Sequence, residues 1–167
     1  TRAAEIAASR GILVVNSAGN DGAAPGTLSK ISAPSDANGD SVLCIASVDS
    51  LGNRASSSSK GPTYDYPITH RIKPDLAAQG VSVLMARADG NLTLYTRLSG
   101  TSFSCPLVAG LAACVVQARP DWTMRQVIRA LRMTASKAWS PDTLLGYGVP
   151  NGAALLQYVP DTMDVPP

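Results

Sequence analysis

The stretch Gly100-Thr-Ser-Phe-Ser-Cys-Pro-Leu-Val-Ala-Gly110 is the most informative part of this chain. It places Ser102 at the start of a predicted apolar helix, where free N–H groups and the helix dipole suit a nucleophilic hydroxyl. Gly100 has no Cβ, so the backbone can turn and approach closely there. Pro106 falls where a first helical turn tolerates proline. The helix is expected to bury an apolar face made of Leu107, Val108, Leu111, Val115 and Val116.

A second stretch, Gly11-Ile-Leu-Val-Val-Asn-Ser-Ala-Gly-Asn20, follows a predicted short helix at Ala3–Arg10. The run Ile12–Val15 has no polar alternation, which predicts a strand buried on both faces. A helix, a buried strand and a polar loop form an α/β unit, and such sheets carry their chemistry at the carboxyl ends of the strands. Asn20 lies at such an end, where its amide can donate to a developing oxyanion.

Both stretches resemble segments of the subtilisin-like serine proteases (subtilases, peptidase S8), namely the active-serine and oxyanion-hole segments. Ala55–Pro62 and Ile72–Val81, with its Lys-Pro-Asp, are similar to further family elements. All of them occur in the family's order, over roughly residues 1–158. The resemblance implies an α/β fold, a parallel sheet with helices on both faces, of which this chain is the C-terminal half. Residues 159–167 are expected to form a Pro-rich tail or linker.

The resemblance also implies a function, serine endopeptidase, working through an acyl-enzyme on Ser102. Asn20 and the backbone N–H of Ser102 would stabilise the oxyanion. One wall of the pocket for the substrate's P1 side chain would be formed by Ser17, Ala18 and Gly19, and another by Ser32–Pro34. The substrate would be a polypeptide, and the family resemblance implies a secreted or periplasmic protein.

Two members of the family's catalytic triad are not recognisable in this chain. The triad runs Asp, His, Ser along the sequence, but the single histidine, His70, follows Asn20 instead of preceding it. We interpret His70 as a loop residue and Asp49 as a turn residue. The catalytic Asp and His are therefore expected upstream, outside this chain, and the segment alone is expected to be inactive.

A half-sheet would leave an open edge and apolar surface. The expected partner is therefore the N-terminal half of the same catalytic domain or a second copy. The main alternative function is a catalytically dead subtilase-like binding or scaffold module. An α/β-hydrolase is excluded, because it needs Gly-x-Ser-x-Gly and a later histidine, whereas Ser104 stands at the second glycine and no histidine follows.

Composition adds limits. The chain has 167 residues, 45% of them hydrophobic, and a net charge of +2, which suits one domain or most of one. A near-neutral balance gives no reason to expect nucleic-acid or membrane-surface binding. No apolar run reaches the ~20 residues of a membrane span.

No cofactor is expected to be required, and no metal site is predicted. The cysteines, an odd and scattered set, are interpreted as small buried side chains rather than a disulfide framework: Cys44, Cys105 and Cys114. Calcium is possible as a structural ion, because Asp36, Asn38 and Asp40 offer oxygen ligands and subtilases often bind calcium. A plain turn is the preferred interpretation of those three residues.

The rest of the chain is interpreted as scaffold. Strands are predicted at Val42–Val48, Val81–Met85 and Leu92–Leu98, with a hairpin turn at Asp89–Asn91. Thr123 and Gln126 have the spacing of a capping box before the next helix. On that helix Arg125, Arg129 and Arg132 are expected on a solvated face. Gly146–Ala153, running on to Tyr158, resembles the family's closing turn and last helix.

Overall fold

The computed structural model describes residues 1–22, 31–37, 42–63, 71–87, 89–90 and 93–160. Within these residues the elements are α1 (Arg2–Ser9), β1 (Val14–Ser17), β2 (Val42–Val48), β3 (Leu76–Gln79), β4 (Val83–Ala86), β5 (Tyr95–Leu98), α2 (Thr101–Ala118), α3 (Met124–Met133) and α4 (Gly152–Gln157).

The first three strands form the predicted parallel sheet, in the order β1-β2-β3. Val14 lies opposite Val42, and Ile45 lies opposite Leu76. β2 is the central strand and all seven of its residues are buried, as expected for an apolar strand covered on both faces. The outer side of β3 is bonded by the closing turn, where the Ala77 N–H donates to Gly148 O at 2.9 Å.

The prediction for β1 is wrong in its bounds and burial. The strand begins at Val14, its four residues are half-buried, and Ile12 is 58% exposed. Within the described residues β1 has a neighbouring strand on one side only. Its apolar composition is that of an interior strand, whereas its position here is at an edge.

Helices cover both faces of the sheet. On one face α2, α3 and α4 enclose the main core, to which Leu43, Ile45, Leu76, Val108, Ala112, Val115, Val127, Leu131 and Leu155 contribute. Val15 packs against this core, so the next residue, Asn16, points to the other face. There the Asn16 amide donates to Ser35 Oγ at 2.9 Å, and the neighbouring Asp36 accepts from Thr1 at the start of α1.

The buried face of α2 differs from the predicted one. Val108 and Val115 are buried as expected, but Leu107 is 51% exposed and Val116 36% exposed. Ala112 is buried as well. Val108, Ala112 and Val115 are spaced by four and three residues, so they form one narrow buried face of the helix. Pro106 lies in the second turn, not the first, so its missing N–H leaves the Ser102 carbonyl without an intrahelical donor.

By length and composition α2 passes the test for a membrane span, with 18 residues and a mean hydropathy of 1.5. A core helix passes the same test, and α2 packs against all three parallel strands. Two other predictions are confirmed. β4 and β5 form an antiparallel hairpin, although their bounds differ from the predicted Val81–Met85 and Leu92–Leu98, and residues 88 and 91–92 lie outside the described part. The Thr123–Gln126 capping box is present at the start of α3.

A buried ionic cluster ties the Lys-Pro-Asp segment to the sheet and to α3. Asp75 Oδ2 accepts from Lys73 Nζ at 2.6 Å and from the Cys44 N–H at 2.7 Å. Lys73 also donates to Val42 O at 2.6 Å. On the other carboxylate oxygen, Arg132 donates at 2.5 Å with its side chain 16% exposed. The prediction that Arg132 lies on a solvated face is therefore wrong, because its guanidinium pairs with the buried Asp75 carboxylate.

The three cysteines are free and lie in three different environments: Cys44 is buried, Cys105 is half-buried and Cys114 is exposed. The expectation that all three are buried is therefore wrong for Cys114, which lies on the outer side of α2. Burial and the Asp75 charge raise the pKa of the Cys44 thiol to about 12. Burial also raises the pKa of the Cys105 thiol, whose sulfur lies 3.5 Å from Val15 O.

Candidate active site

The candidate site lies where the loop after β1 meets the first turn of α2. The loop after β1 carries Asn20, and the first turn of α2 carries Ser102. The chain enters α2 beside the end of β3, where the Gly100 N–H donates to Gly80 O at 2.7 Å. A Cβ on Gly80 would overlap Gly100 O and the Ser47 and Ser104 hydroxyls. The start of α2 therefore packs directly against the carboxyl end of β3.

Thr101 fixes the orientation of the Asn20 side chain. Asn20 Oδ1 accepts from the Thr101 N–H at 3.0 Å and from the Thr101 hydroxyl at 3.1 Å. Since a backbone N–H can only donate, the atom facing it must be the amide oxygen. The amide nitrogen of Asn20 is consequently turned away from Thr101. The Thr101 hydroxyl also accepts from the Gly19 N–H at 3.2 Å.

Ser102 is the second residue of α2 and is exposed. Its backbone N–H belongs to the first helical turn, which has no intrahelical acceptor. Gly100, with φ 152°, makes the preceding turn. A Cβ at Gly100 would lie 3.6 Å from both amide atoms of Asn20, so the Asn20 side chain lies against the residue two positions before Ser102. The two predicted catalytic residues are thus brought to one place.

The two predicted walls of the P1 pocket are also adjacent. Ser17 O accepts from the Ser32 hydroxyl at 3.4 Å and from the Ser35 hydroxyl at 3.1 Å. A Cβ on Gly19 would lie 3.0 Å from Ser32 Oγ. Ala18, between them, is fully buried and bonds to β2 through Ile45 O. The Ser32 and Ser35 hydroxyls therefore tie their segment to the backbone at Ser17.

A serine-rich segment supports the loop that carries Asn20, a contact that no pattern in the sequence predicts. The Ser59 N–H donates to Gly19 O at 2.9 Å, and the Gly22 N–H donates to Ser57 O at 2.9 Å. Ser59 Oγ accepts from the Asp21 N–H at 3.1 Å. Residues 57–59 therefore form a short ladder with residues 19–22.

Several predicted residues stand apart from this site. Asp49 accepts from the Leu51 and Asn53 N–H groups at 2.9 Å in an exposed turn, as predicted. The side-chain hydrogen bond from Asn53 lowers the pKa of Asp49. His70, Asn38 and Asp40 lie outside the described residues.

No metal centre forms among the residues that the structure describes, since no group of three or more His, Cys, Asp or Glu side chains is placed to hold an ion. Asp36, the one described member of the possible calcium set, accepts a hydrogen bond from Thr1 Oγ1 at 3.0 Å. That contact ties the turn at Asp36 to the start of α1.

The comparison with known families decides the classification. The family model described as Subtilase family matches residues 1–148. The chain belongs to the subtilase family. Its relatives include Subtilisin BL of Lederbergia lenta, 35% identical over 153 residues, which are 92% of this chain and 49% of the relative. The alkaline protease of Alkalihalobacillus alcalophilus is also 35% identical, over 92% of this chain and 35% of the relative.

Solved subtilase structures agree with this fold. The self-cleaved protease domain of PatA has a TM-score of 0.71 and 26% identity, over 93% of this chain and 53% of that one. The prenylagaramide maturation protease PagA has a TM-score of 0.71 and 24% identity, with the same coverage. This subtilase chain thus spans about half the length of Subtilisin BL and of the solved structures that it matches.

Proposed function

We propose that this chain supplies the nucleophile and the oxyanion hole of a serine endopeptidase. Ser102 Oγ attacks the carbonyl carbon of a peptide bond and forms an acyl-enzyme, releasing the amine. The Asn20 amide and the Ser102 N–H donate to the oxyanion that develops on the carbonyl oxygen. Ser17, Ala18 and Gly19 form one wall of the P1 pocket, and Ser32–Pro34 form an adjoining wall.

The bond from the Thr101 N–H to Asn20 Oδ1 is the observation that carries the proposal. It turns the amide N–H groups outward beside the first turn of α2, where the Ser102 N–H is also free to donate. Donors that are fixed before the reaction need no reorganisation as charge develops. The same bond also gives the first N–H of α2 an acceptor, so the orientation serves both the helix start and the proposed oxyanion hole.

A serine hydroxyl needs a base to become a nucleophile. The chain has one histidine, His70, which follows Asn20 in the sequence, contrary to the order of the family's triad. We propose that the catalytic Asp and His belong to sequence upstream of this chain. Ser102 in the segment alone would then be inactive.

The outer side of α2 supports an association with that upstream half. Exposed there, together with Gln117, are small or apolar residues at helical spacing: Pro106, Leu107, Gly110, Ala113 and Cys114. The open edge of β1 is a second unpaired surface within the described residues. We propose that the N-terminal half of the catalytic domain, or less favourably a second copy, covers both.

The remaining expectations belong to the same proposal. The substrate is a polypeptide, and no cofactor takes part in the reaction. Calcium, if bound, has a structural role only. The protein acts outside the cytoplasm, as a secreted or periplasmic enzyme, and residues 159–167 serve as a linker or tail. The charge of +2 gives no support to nucleic-acid binding, and α2 is assigned to the protein core rather than to a membrane.

Fluorophosphonate labelling of the protein at its full natural length tests the proposal. Mass spectrometry is expected to map the adduct to Ser102 in the full-length protein and to find none in the segment alone. The Ser102→Ala variant is the control for labelling elsewhere. A folded full-length protein that stays unlabelled would instead support the catalytically dead binding or scaffold module. Labelling of the isolated segment would contradict the upstream location of the base.

A further inference from the structure

We propose that Ser59 is a positioning residue of the oxyanion hole, acting through the backbone of Asn20. The inference rests on the proposed role of Asn20. Ser59 is fully buried and belongs to the serine-rich segment 57–59 that borders the site. It does not reach the reacting atoms, and its effect comes from the position that it gives to the Asn20 backbone.

Ser59 binds the backbone on both sides of Asn20. Its N–H donates to Gly19 O at 2.9 Å, and its hydroxyl oxygen accepts from the Asp21 N–H at 3.1 Å. A single residue therefore fixes the peptide groups before and after Asn20. Because Ser59 is excluded from solvent, water does not compete for these bonds at its hydroxyl.

The backbone at Gly19 packs closely against the Ser59 side chain. Gly19 has a φ of 105°, which favours glycine, and a Cβ there would lie 2.8 Å from Ser59 Oγ. The Ser59 hydroxyl thus lies against the inner side of the loop. Ser59 sets the position of the Asn20 backbone, whereas Thr101 sets the rotation of its amide, so the two constraints are distinct.

Removal of the Ser59 hydroxyl is expected to loosen the loop between Gly19 and Gly22. Catalytic geometry is sensitive to such a change, since a displacement of ~1 Å can cost ~10²-fold in rate. We expect Ser59→Ala to lower kcat by about 10-fold, less than the roughly 10²–10³-fold cost of losing an oxyanion donor outright. KM should change little, because the donor acts mainly in the transition state.

A double-mutant cycle on the full-length protein tests this inference. The variants Ser59→Ala, Asn20→Ala and their combination are compared by kcat per active site, with sites counted by fluorophosphonate titration. We expect Ser59→Ala to have no further effect on kcat when Asn20 is already alanine. The same fold-loss in both backgrounds, or no loss from Ser59→Ala in the protein that retains Asn20, would overturn the inference.

The neighbouring Ser58 gives a matched control. It is equally buried, but its hydroxyl accepts from the Ser47 N–H of β2 at 3.0 Å rather than from the Asn20 loop. Ser58→Ala should lower the melting temperature but cost less in kcat per titrated site than Ser59→Ala, because its hydroxyl does not bond to the Asn20 loop. Ser59→Cys keeps the size of the side chain with a weak acceptor, so it should fold and still lose kcat. Wild-type kcat in Ser59→Cys would contradict the role of the hydroxyl.

The two proposals fail in different ways. If the wild-type full-length protein is folded and takes no label at Ser102, the proposed function fails and the role of Ser59 fails with it. If the wild type is labelled and active but the cycle is additive, the endopeptidase proposal stands and only the Ser59 inference is lost.

Discussion

Thr101 donates two hydrogen bonds to Asn20 Oδ1, at 3.0 Å from its N–H and 3.1 Å from its hydroxyl, across 81 positions of sequence. The residue that precedes the candidate nucleophile therefore orients the candidate oxyanion donor. Any shift of the α2 start relative to the β1 loop would disturb both groups together. This coupling makes Thr101 the most direct test of how the site is organised.

Thr101→Val should lower kcat by about 10-fold with KM nearly unchanged, a partial loss of the 10²–10³-fold effect of a whole oxyanion donor. Valine keeps the shape of the fully buried side chain but removes the hydroxyl, while the backbone N–H still holds Asn20. The measurement is steady-state kinetics of the full-length protein on a peptide substrate. Thr101→Ser, which keeps the hydroxyl, should stay close to wild type; equal losses in both variants would contradict the orienting role.

Cys114 reports whether the outer side of α2 is covered. It is exposed in this chain, whereas Cys44 is buried. We expect a maleimide to modify Cys114 in the isolated segment and not in the full-length protein, with modified residues identified by mass spectrometry. Modification of Cys44 in the segment would report unfolding and serves as the internal control. Equal reactivity of Cys114 in both proteins would argue against the proposed association.

The Gly110→Ala variant gives a second test of whether the outer side of α2 is covered, because a covered and an open surface predict opposite changes in melting temperature. A Cβ at Gly110 meets no atom within 4 Å in this chain. On an exposed helix, alanine is worth about 1 kcal/mol more than glycine. If another half of the domain packs closely there, Gly110→Ala should instead lower the melting temperature of the full-length protein. A raised melting temperature would indicate an open surface.

Much of the fold was predictable because its signals are local. The apolar run of β2, the hairpin and the Thr123–Gln126 cap depend on neighbouring residues, and each formed as expected. The burial of β1 was not predictable, because it depends on which strand lies beside it. The same residues have interior composition and an edge position.

The residues of the candidate site also fall into a predictable and an unpredictable group. Ser102 and Asn20 are found from short motifs, and their proximity follows from the placement of chemistry at the strand ends. The contacts of Thr101 and Ser59 join distant segments, so spacing along the chain carries no signal for them. The prediction for Arg132 was wrong for the same reason. Its helical spacing predicts a solvated face, but it reaches Asp75 and lies 5.4 Å from the Tyr147 ring.

Breaking the Lys73–Asp75 pair should destabilise the fold more than removing both of its charges. The pair is 99–100% buried, with side-chain exposures of 1% and 0%. Asp75→Asn leaves the Lys73 charge without its counterion, which typically costs about 3–5 kcal/mol. Lys73→Met combined with Asp75→Asn removes both charges of the pair, keeps an acceptor for the Cys44 N–H and should cost less than Asp75→Asn alone. Urea unfolding of full-length protein in a Ser102→Ala background, which prevents self-digestion, measures the difference. A larger loss in the double variant would contradict this account.

Cys44 should make the protein less stable as the solution becomes alkaline. Burial and the Asp75 charge raise the pKa of its thiol from 9.0 to about 12. Below pH 9 both states hold the proton, so the stabilisation is complete. As the pH rises above 9 the unfolded thiol loses its proton first, and folded stability falls until about pH 12. The expected loss from this group between pH 8 and pH 10 is on the order of 1 kcal/mol.

Urea unfolding of the Ser102→Ala protein at pH 8, 9 and 10 measures this loss, with Cys44→Ala as the test variant. Cys44→Ala should cost stability at every pH, because it leaves a small cavity in β2, but its curve against pH should be flatter than the parent's. Cys114→Ala changes an exposed thiol and should reproduce the parent's pH dependence. If Cys44→Ala and the parent lose stability in parallel from pH 8 to 10, the buried thiol is not the group that titrates.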